Sequence, residues 1–380
     1  MSALRPIFFT SFLFFAHLSI VMYINTTVLS AFIDAKYTSI VFVLGAAGSI
    51  LLLFVLPHIV QGIGLVKTAA SIFILLAITL AILGTTVIAA TFIGVFILYL
   101  ALTGTVWYCN DLFVAHYSQA ATVGHTRGSY LTINNGAIAL MPVIAGWVVE
   151  RSGFHSVYIV AASLLSIAAA CILYSQRSFV DRPYVSATIP AAWNAMRHSP
   201  SLRRVAAINF LLQFFYVWMT LFTPLYLSMV LHFSWGQIGL MFSIMLVAFV
   251  LLQYPVGRWA DTIGEKKLLF VGFTIAMIST LAFALLHTHS FIIYTAVLFT
   301  TRVGICMVEV LAETYFFKQI TDRDEGIVSV YRMMNPLAYI IGPLTGWYII
   351  TTTSYTTLFI ILATLLCFGA IYSLRLVDIR

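Results

Sequence analysis

Twelve long apolar runs dominate this sequence and decide what it can fold into. A helix needs about 20 consecutive apolar residues to cross a membrane, and every run is long enough. Charged residues make up only 8% of the chain, against about 25% in a soluble domain. We therefore predict an all-α membrane protein with twelve transmembrane helices. The runs cover residues 7–31, 38–59, 66–87, 91–118, 128–149, 155–176, 203–230, 236–257, 267–286, 290–318, 326–350 and 354–375.

The two halves of the chain repeat each other, with six apolar runs in each. Four matches share an interval of 198 residues: Pro57 with Pro255, Asp111 with Glu309, Tyr117 with Tyr315, and Gly128 with Gly326. We predict two pseudo-symmetric six-helix halves, residues 1–176 and 203–380. Duplicated membrane halves hold substrate and ion sites where the repeats meet, near the bilayer midplane.

A hydrophilic linker, residues 177–202, separates the halves and carries several prolines and arginines. Its segment 191–197 fits a short amphipathic helix on the membrane surface, with Trp193 among the lipid headgroups. A plain tether fits equally well. The other loops are short, so they leave no room for a soluble catalytic domain.

Lysine and arginine are distributed unequally between the two sides of the membrane. With the N-terminus inside, fifteen fall on the cytoplasmic side, and only Lys36 and Arg151 fall outside. The positive-inside rule then places both termini in the cytoplasm, and we expect a multi-pass protein of the plasma (inner) membrane. The first run is too long for a signal peptide and is interpreted as a retained helix. The net charge of +7 is thus topological and requires no nucleic-acid partner.

The sequence offers no metal or cofactor chemistry. All four cysteines lie in apolar runs, where they are typical packing residues, and no two histidines form a helical i, i+4 pair. A membrane-embedded enzyme would need a cluster of His, Ser and Asp or of metal ligands at one face. We therefore expect no enzyme, no cofactor, no metal and a monomeric protein.

The loop after the eighth run reads Gly257-Arg-Trp-Ala-Asp261-Thr-Ile-Gly264-Glu-Lys266-Lys267. It resembles the G-x-L-A-D-R-x-G-R-K signature of the major facilitator superfamily, although Trp, Thr and Glu replace three usual residues. The resemblance extends to the twelve spans, the repeat and the linker. It implies the major facilitator fold and a gating latch formed by Gly257, Asp261, Gly264 and Lys266. Gly257 would allow close helix approach, Asp261 would face a helix N-terminus and Gly264 would turn the chain.

The first-half counterpart of this loop, residues 57–67, keeps Gly62, Gly64 and Lys67 but has no acid. Latching is therefore expected to be stronger in the second half. The fifth span holds a second motif, Gly136-Ala-Ile-Ala-Leu-Met-Pro142-Val-Ile-Ala-Gly146, repeated as Gly342-Pro343-Leu-Thr-Gly346. Glycine at this spacing allows two membrane helices to pack closely. The motif resembles a degenerate form of one that marks proton-coupled exporters in the family.

Charged residues inside the apolar runs are the candidates for function, because each costs about 2.5 to 3.5 kcal/mol at a helix centre. Arg302, Glu309 and Glu313 are seven and four residues apart, so they share one helical face. Glu313 and Arg332 lie at similar depths and are expected to pair. The pair is either purely structural or a gate that breaks during transport.

The three buried acids Asp111, Glu309 and Glu313 share two arginines, which leaves one carboxyl without a fixed counter-ion. Such a group tends to hold a proton, because burial disfavours its charged form. We expect proton coupling at Asp111 or Glu309 and favour Asp111, whose span has no arginine. His116 is either a proton relay or a packing residue. Alternatively, hydrogen bonds satisfy both acids and their role is structural.

Substrate contacts in the family come mainly from the first, fourth, seventh and tenth spans. Buried amides need hydrogen-bond partners, which makes the amide side chains the better candidates among the polar and aromatic residues there. The expected substrate-binding residues are Asn25, Trp107, Asn110, Gln213, Tyr216 and Arg302.

Together these features predict an alternating-access transporter for a small organic solute. Proton-coupled export of amphipathic or drug-like compounds is the first interpretation. Uptake of a small metabolite anion bound by Arg302, by symport or uniport, is the alternative. A receptor would not need duplicated halves, and an enzyme lacks its cluster of catalytic residues.

Overall fold

The computed structural model describes residues 4–117, 123–177, 179–180, 189–319 and 325–377, and these contain α-helices and no β-strand. A π-helical segment, Tyr226–Val230, follows α9. The helices are α1 Leu4–Met22, α2 Asn25–Phe32, α3 Ala35–Ile63, α4 Leu65–Thr85, α5 Ala89–Tyr117, α6 Val123–Ser152, α7 Phe154–Ser175, α8 Ile189–His198, α9 Pro200–Leu225, α10 Trp235–Ile263, α11 Glu265–Leu285, α12 Phe291–Phe317, α13 Glu325–Arg332, α14 Met334–Thr352 and α15 Tyr355–Ser373.

Eleven segments of the described chain are long and apolar enough to cross a membrane. The all-α membrane fold predicted from the sequence is therefore confirmed. The remaining predicted run, 326–350, is divided between α13 and α14, so the count of twelve rests on treating these two helices as one span.

The break between α13 and α14 falls at Met333 and has a local cause. Pro336 has no amide hydrogen, and its ring crowds the carbonyl four residues earlier, that of Arg332. The last carbonyls of α13 must then find other donors. The Asn209 side chain supplies one, since its Nδ2 donates to the Tyr331 carbonyl at 3.1 Å.

The described helices form two compact units. Unit 1 comprises Met1–Val185 and Leu227–Ser243, and unit 2 comprises Ser186–Tyr226 and Ile244–Arg380. In unit 1, α7 packs against α1 and α4, and α5 packs against α3. In unit 2, α11 packs between α12 and α15, and α9 packs against α14.

The repeat interval differs from the one expected. Helix α3 covers Ala35–Ile63 and α10 covers Trp235–Ile263, so both ends lie 200 residues apart. Gly64 and Gly264 follow these helices at the same interval, with φ of 87° and 93°, which favours glycine. The predicted interval of 198 is two residues short here, because a proline inside a helix does not mark the helix end as such a glycine does.

Three glycines of the fifth-span motif and its repeat, Gly146, Gly342 and Gly346, lie where helices approach closely, as the sequence predicted. In unit 1, a Cβ on Gly146 would lie 2.4 Å from the Trp235 carbonyl oxygen, at the start of α10. In unit 2, the equivalent Gly346 faces the ring of Phe222 on α9, and Gly342 faces Val217. A Cβ at any of these positions would require its neighbour to shift, so glycine allows the close helix packing seen here. Gly136 meets no atom of the described chain within 4 Å.

Candidate functional site

The polar groups of unit 2 centre on α12. Arg302 is 2% exposed, and Glu309, seven residues later, is half-buried. This spacing is two turns of an α-helix, so both side chains leave the same face. The sequence predicted this shared face, and α12 is continuous across it.

Glu309 is bound by a tyrosine from the neighbouring helix α9. The Tyr216 hydroxyl donates a hydrogen bond to Glu309 Oε2. Tyr216 is half-buried and was predicted to contact substrate, whereas its bond to Glu309 was not foreseen. A hydroxyl-to-carboxylate bond is charge-assisted and therefore stronger than a neutral one.

Arg302 is buried with two of its three guanidinium nitrogens unsatisfied. Its Cζ lies 5.3 Å from the ring centre of Phe215 and 5.6 Å from that of Tyr216, which is within the range of a cation–π contact. Its Nε and Nη1 have no hydrogen-bond partner among the described residues. Tyr216 therefore contacts both charged groups, through its ring and through its hydroxyl.

An amide network extends from this site along α9. Gln213 Nε2 donates to Asn209 Oδ1 at 3.2 Å, and Asn335 Nδ2 donates to Gln213 Oε1 at 2.8 Å. Asn209, Gln213 and Tyr216 are spaced four and three residues apart, so they form one stripe on α9. The stripe joins the carboxyl of Glu309 to the break between α13 and α14. Gln213 was predicted as a site residue, whereas Asn209 and Asn335 were missed.

Two predicted gating residues, Glu313 and Arg332, lie near the C-terminal ends of α12 and α13. Glu313 is half-buried on α12, and Arg332 is exposed in the last turn of α13. Both make polar or electrostatic contacts. Their mutual pairing stays a prediction.

The loop between α10 and α11 follows the expected turn in part. Gly264 adopts φ of 93° and separates the two helices, as predicted. Lys266 is half-buried in the first turn of α11, and the side chain of Asp261 lies outside the described part. A Cβ on Gly257 would meet no described atom within 4 Å, so the close approach expected there is not seen. The gating role of this loop stays a prediction.

Glu265, which replaces a basic residue of the family signature, has a partner that sequence reasoning missed. It is 1% exposed and forms an ion pair of 2.8 Å with Lys318 Nζ. Lys318 follows the last turn of α12 and Glu265 begins α11. The basic residue therefore lies at a helix C-terminus and the acid at a helix N-terminus, which are the ends where the helix dipole stabilises these charges. The acidic Glu265 in place of the usual basic residue was the sequence signal that could have predicted a basic partner.

Two of the predicted residues of unit 1, Asn25 and Trp107, contact neighbouring side chains. Asn25 lies at the break between α1 and α2, and its Oδ1 accepts from the Tyr158 hydroxyl at 3.0 Å. The first predicted span is thus interrupted at a run of Asn and Thr, which favour helix ends over helix interiors. Trp107 packs edge-on against Phe15 with centroids 4.7 Å apart.

Two buried amides of unit 1 lack partners in the described structure. Asn110 Nδ2 on α5 and both amide atoms of Asn134 on α6 make no hydrogen bond. Asn110 was predicted and Asn134 was missed. The side chains of Asp111 and His116 lie outside the described part, so their predicted proton-coupling roles remain predictions. Among the described residues no cluster of His, Cys, Asp and Glu could hold a metal.

The fold and these buried charges define a multi-pass membrane protein of the transporter class. The sequence profile of the Major Facilitator Superfamily matches residues 7–312 and 231–379, and the chain belongs to this family. Its family and fold are those of transporters rather than enzymes.

Solved structures share this fold. The crystal structure of the nucleoside transporter NupG superimposes with a TM-score of 0.73 at 14% identity, covering 98% of each chain. The crystal structure of a bacterial homologue of the human lysosomal transporter Spinster gives 0.76 at 10% identity, covering 98% of this chain and 96% of that one. At these identities the likeness establishes the fold alone. No curated protein matches this sequence.

Proposed function

We propose that this protein is a secondary active transporter that moves a small organic solute by alternating access and is coupled to protons through Glu309. It would reside in the plasma (inner) membrane as a monomer with both termini in the cytoplasm, as the distribution of lysine and arginine indicates. No cofactor, metal or nucleic acid takes part in this proposal.

The hydrogen bond between Tyr216 and Glu309 is the observation that carries the proposal. An ionised Glu309 accepts this bond strongly, and a protonated Glu309 loses the charge that strengthens it. A proton on Glu309 therefore changes the contact between α9 and α12. Helix contacts that depend on a bound ion are a means of biasing a two-state transporter.

The position of the proton is a choice between two acids. The sequence favours Asp111, because its span has no arginine, while the described contacts favour Glu309. We adopt Glu309, with Asp111 as the rival that the experiment separates.

The sequence also leaves two solute classes, an exported amphipathic compound and an imported anion. Glycine packing at Gly146 accords with the exporter-like motif. The unsatisfied donors of Arg302 support the anion. Arg302 is a described side chain that would bind its solute directly, and for this reason we adopt the anionic class.

Accumulation in proteoliposomes under a pH gradient tests the coupling. Labelled benzoate, hydroxybenzoate, octanoate and gluconate, each with its amide, serve as solutes, and protein-free liposomes define passive entry. We expect wild type to accumulate at least one of them and Glu309→Gln to lose this accumulation. Glu150→Gln is the matched control, since Glu150 is exposed and lies in unit 1. If Glu309→Gln accumulates solute as wild type does while Asp111→Asn loses accumulation, the proton is assigned to Asp111.

A further inference from the structure

The guanidinium of Arg302 is buried with two nitrogens, Nε and Nη1, that have no hydrogen-bond partner in the described structure. Glu309, two turns away, uses its Oε2 to accept from Tyr216, and no ion pair joins it to Arg302 in the described structure. Buried polar groups in native proteins are nearly always hydrogen-bonded, so an exception calls for an explanation. A ligand that arrives during the working cycle is one such explanation.

The contacts that Arg302 does make leave its donors available. The rings of Phe215 and Tyr216 interact with the guanidinium through cation–π contacts, which involve no N–H donor. The N–H groups lie in the plane of the guanidinium, and two of these nitrogens, Nε and Nη1, are unpartnered. Planar N–H donors match the oxygens of a carboxylate. The adjacent rings offer an apolar surface for the rest of such a molecule.

The charge of the site favours a ligand with one negative charge. Arg302 is the single cation on the α12 face that also carries Glu309 and Glu313. A dianion such as a phosphate monoester would bring two negative charges towards one guanidinium and two carboxyls. A monocarboxylate adds one and is the better match.

Any anion at Arg302 lies close to Glu309, because one tyrosine side chain contacts both residues. The described groups that interact electrostatically with Glu309 are Arg302, Cys306 and Glu313 on α12, Tyr216 on α9 and Tyr331 on α13. Within this set Arg302 is the one cation, Glu313 is an acid, and the other three groups are neutral. An ionised Glu309 would compete with the solute for its attraction and would repel the solute.

We propose that Arg302 binds the carboxylate of an amphipathic organic monocarboxylate, and that this solute binds together with a proton on Glu309. The inference rests on the proton-coupled function proposed above and adds its substrate class and coupling mode. The proton enters as the Glu309 carboxylate becomes a carboxylic acid, and it leaves when the solute leaves. Solute and proton then cross in the same direction, and a monoanion crosses without net charge.

Binding to the purified wild-type protein tests the substrate class. Thermal stability is measured with each carboxylate and its amide at pH 5.5 and pH 8, because a ligand of the folded state raises apparent stability. We expect at least one carboxylate to stabilise the protein and its amide to have no effect. The affinity for this carboxylate should be about tenfold or more higher at pH 5.5 than at pH 8, which is within the usual range of coupling between sites. Equal effects of acid and amide, or stabilisation by no carboxylate, would overturn the assignment to Arg302.

Variants separate the two parts of the inference. Arg302→Gln should weaken carboxylate binding at least tenfold, and Arg302→Lys, which keeps the charge and is the more conservative change, should restore part of it. Glu309→Gln mimics the protonated acid and should bind equally at both pH values, with the affinity that wild type shows at pH 5.5. Carboxylate affinity that is unchanged in Arg302→Lys and Arg302→Gln would contradict the site.

The failure of this inference differs from the failure of the proposed function. Suppose that Glu309→Gln loses the pH-driven accumulation that wild type shows for a neutral solute, or loses it although carboxylates bind wild type more tightly at pH 8. In either case the transporter is proton-coupled, and the symport of an anion is wrong. Should Glu309→Gln accumulate carboxylates as wild type does, the coupling through Glu309 itself is wrong.

Discussion

Helices α5 and α12 are repeat-related, yet they differ in the charge they carry. In α12 three charged residues, Arg302, Glu309 and Glu313, lie on one face, whereas α5 contains the single acid Asp111. Each such charge costs energy in the membrane unless it is paired, hydrated or used. The difference shows that duplication preserved the scaffold while the charged chemistry is concentrated in unit 2.

The same contrast holds at the start of the preceding helices, α4 and α11. After Gly64 in unit 1 comes the buried Leu65, and after Gly264 in unit 2 comes the buried Glu265, paired with Lys318. Elsewhere in unit 1, the hydrogen bond between Asn25 and Tyr158 joins two neutral groups. Variants that convert one pattern into the other test how far the units differ.

The largest effect is expected at the ion pair between the buried Glu265 and Lys318, whose side chain is 33% exposed. Lys318→Met should lower the free energy of unfolding by about 2 to 3 kcal/mol, because it leaves the Glu265 carboxylate buried without its partner. The double variant with Glu265→Leu, which copies Leu65 of unit 1, should recover most of this loss. Thermal unfolding in detergent measures both, and a double variant as unstable as Lys318→Met would show that the acid is not what makes the single change costly.

A smaller effect is expected from matched glycines. A Cβ on Gly304 of α12 would lie 2.5 Å from the Gly272 carbonyl oxygen, and one on Gly104 of α5 would lie 2.1 Å from Ser49 Oγ. Backbone cannot move aside as a serine hydroxyl can. Gly304→Ala should therefore cost about 1 to 3 kcal/mol, and Gly104→Ala clearly less. Equal losses in the two melting curves would remove this difference between the helices.

The amide stripe should contribute less again. Asn209→Leu leaves the Tyr331 carbonyl without its side-chain donor, at a cost of about 1 to 2 kcal/mol. The matching change in unit 1 is Tyr158→Phe. It removes the hydroxyl that donates to Asn25 Oδ1 but does not change the hydrogen-bonding groups of the Asn25 amide. That change should cost about 1 kcal/mol or less. Unfolding that is unaffected by Asn209→Leu would mean that the break at Met333 does not depend on this contact.

The sequence was informative wherever helical spacing alone decides position. It predicted the apolar spans, the shared face of Arg302 and Glu309, the turn at Gly264 and the close packing at Gly146 and Gly346. Each of these follows from the geometry of one helix or one turn.

Contacts between helices were harder to predict, because they depend on how neighbouring helices are rotated and shifted. The bonds from Tyr216 to Glu309, from Asn209 to Tyr331 and from Lys318 to Glu265 join residues 53 or more apart in the chain. The predicted repeat interval of 198 residues also differs from the structure, because matching residues do not fix helix ends, and the ends of α3 and α10 lie 200 residues apart. The domain boundaries at 177–202 and the pairing of Glu313 with Arg332 remain predictions.

The direct test of the central claim, that the proton is carried in unit 2 by Glu309, is the number of protons taken up when solute binds. Protein in weakly buffered detergent solution near neutral pH is titrated with the tightest-binding carboxylate while a pH indicator reports uptake. Wild type and Asp111→Asn should each take up protons as the solute binds, approaching about one per solute, and Glu309→Gln should take up none while still binding. Uptake that persists in Glu309→Gln and disappears in Asp111→Asn would contradict the account and move the proton to unit 1.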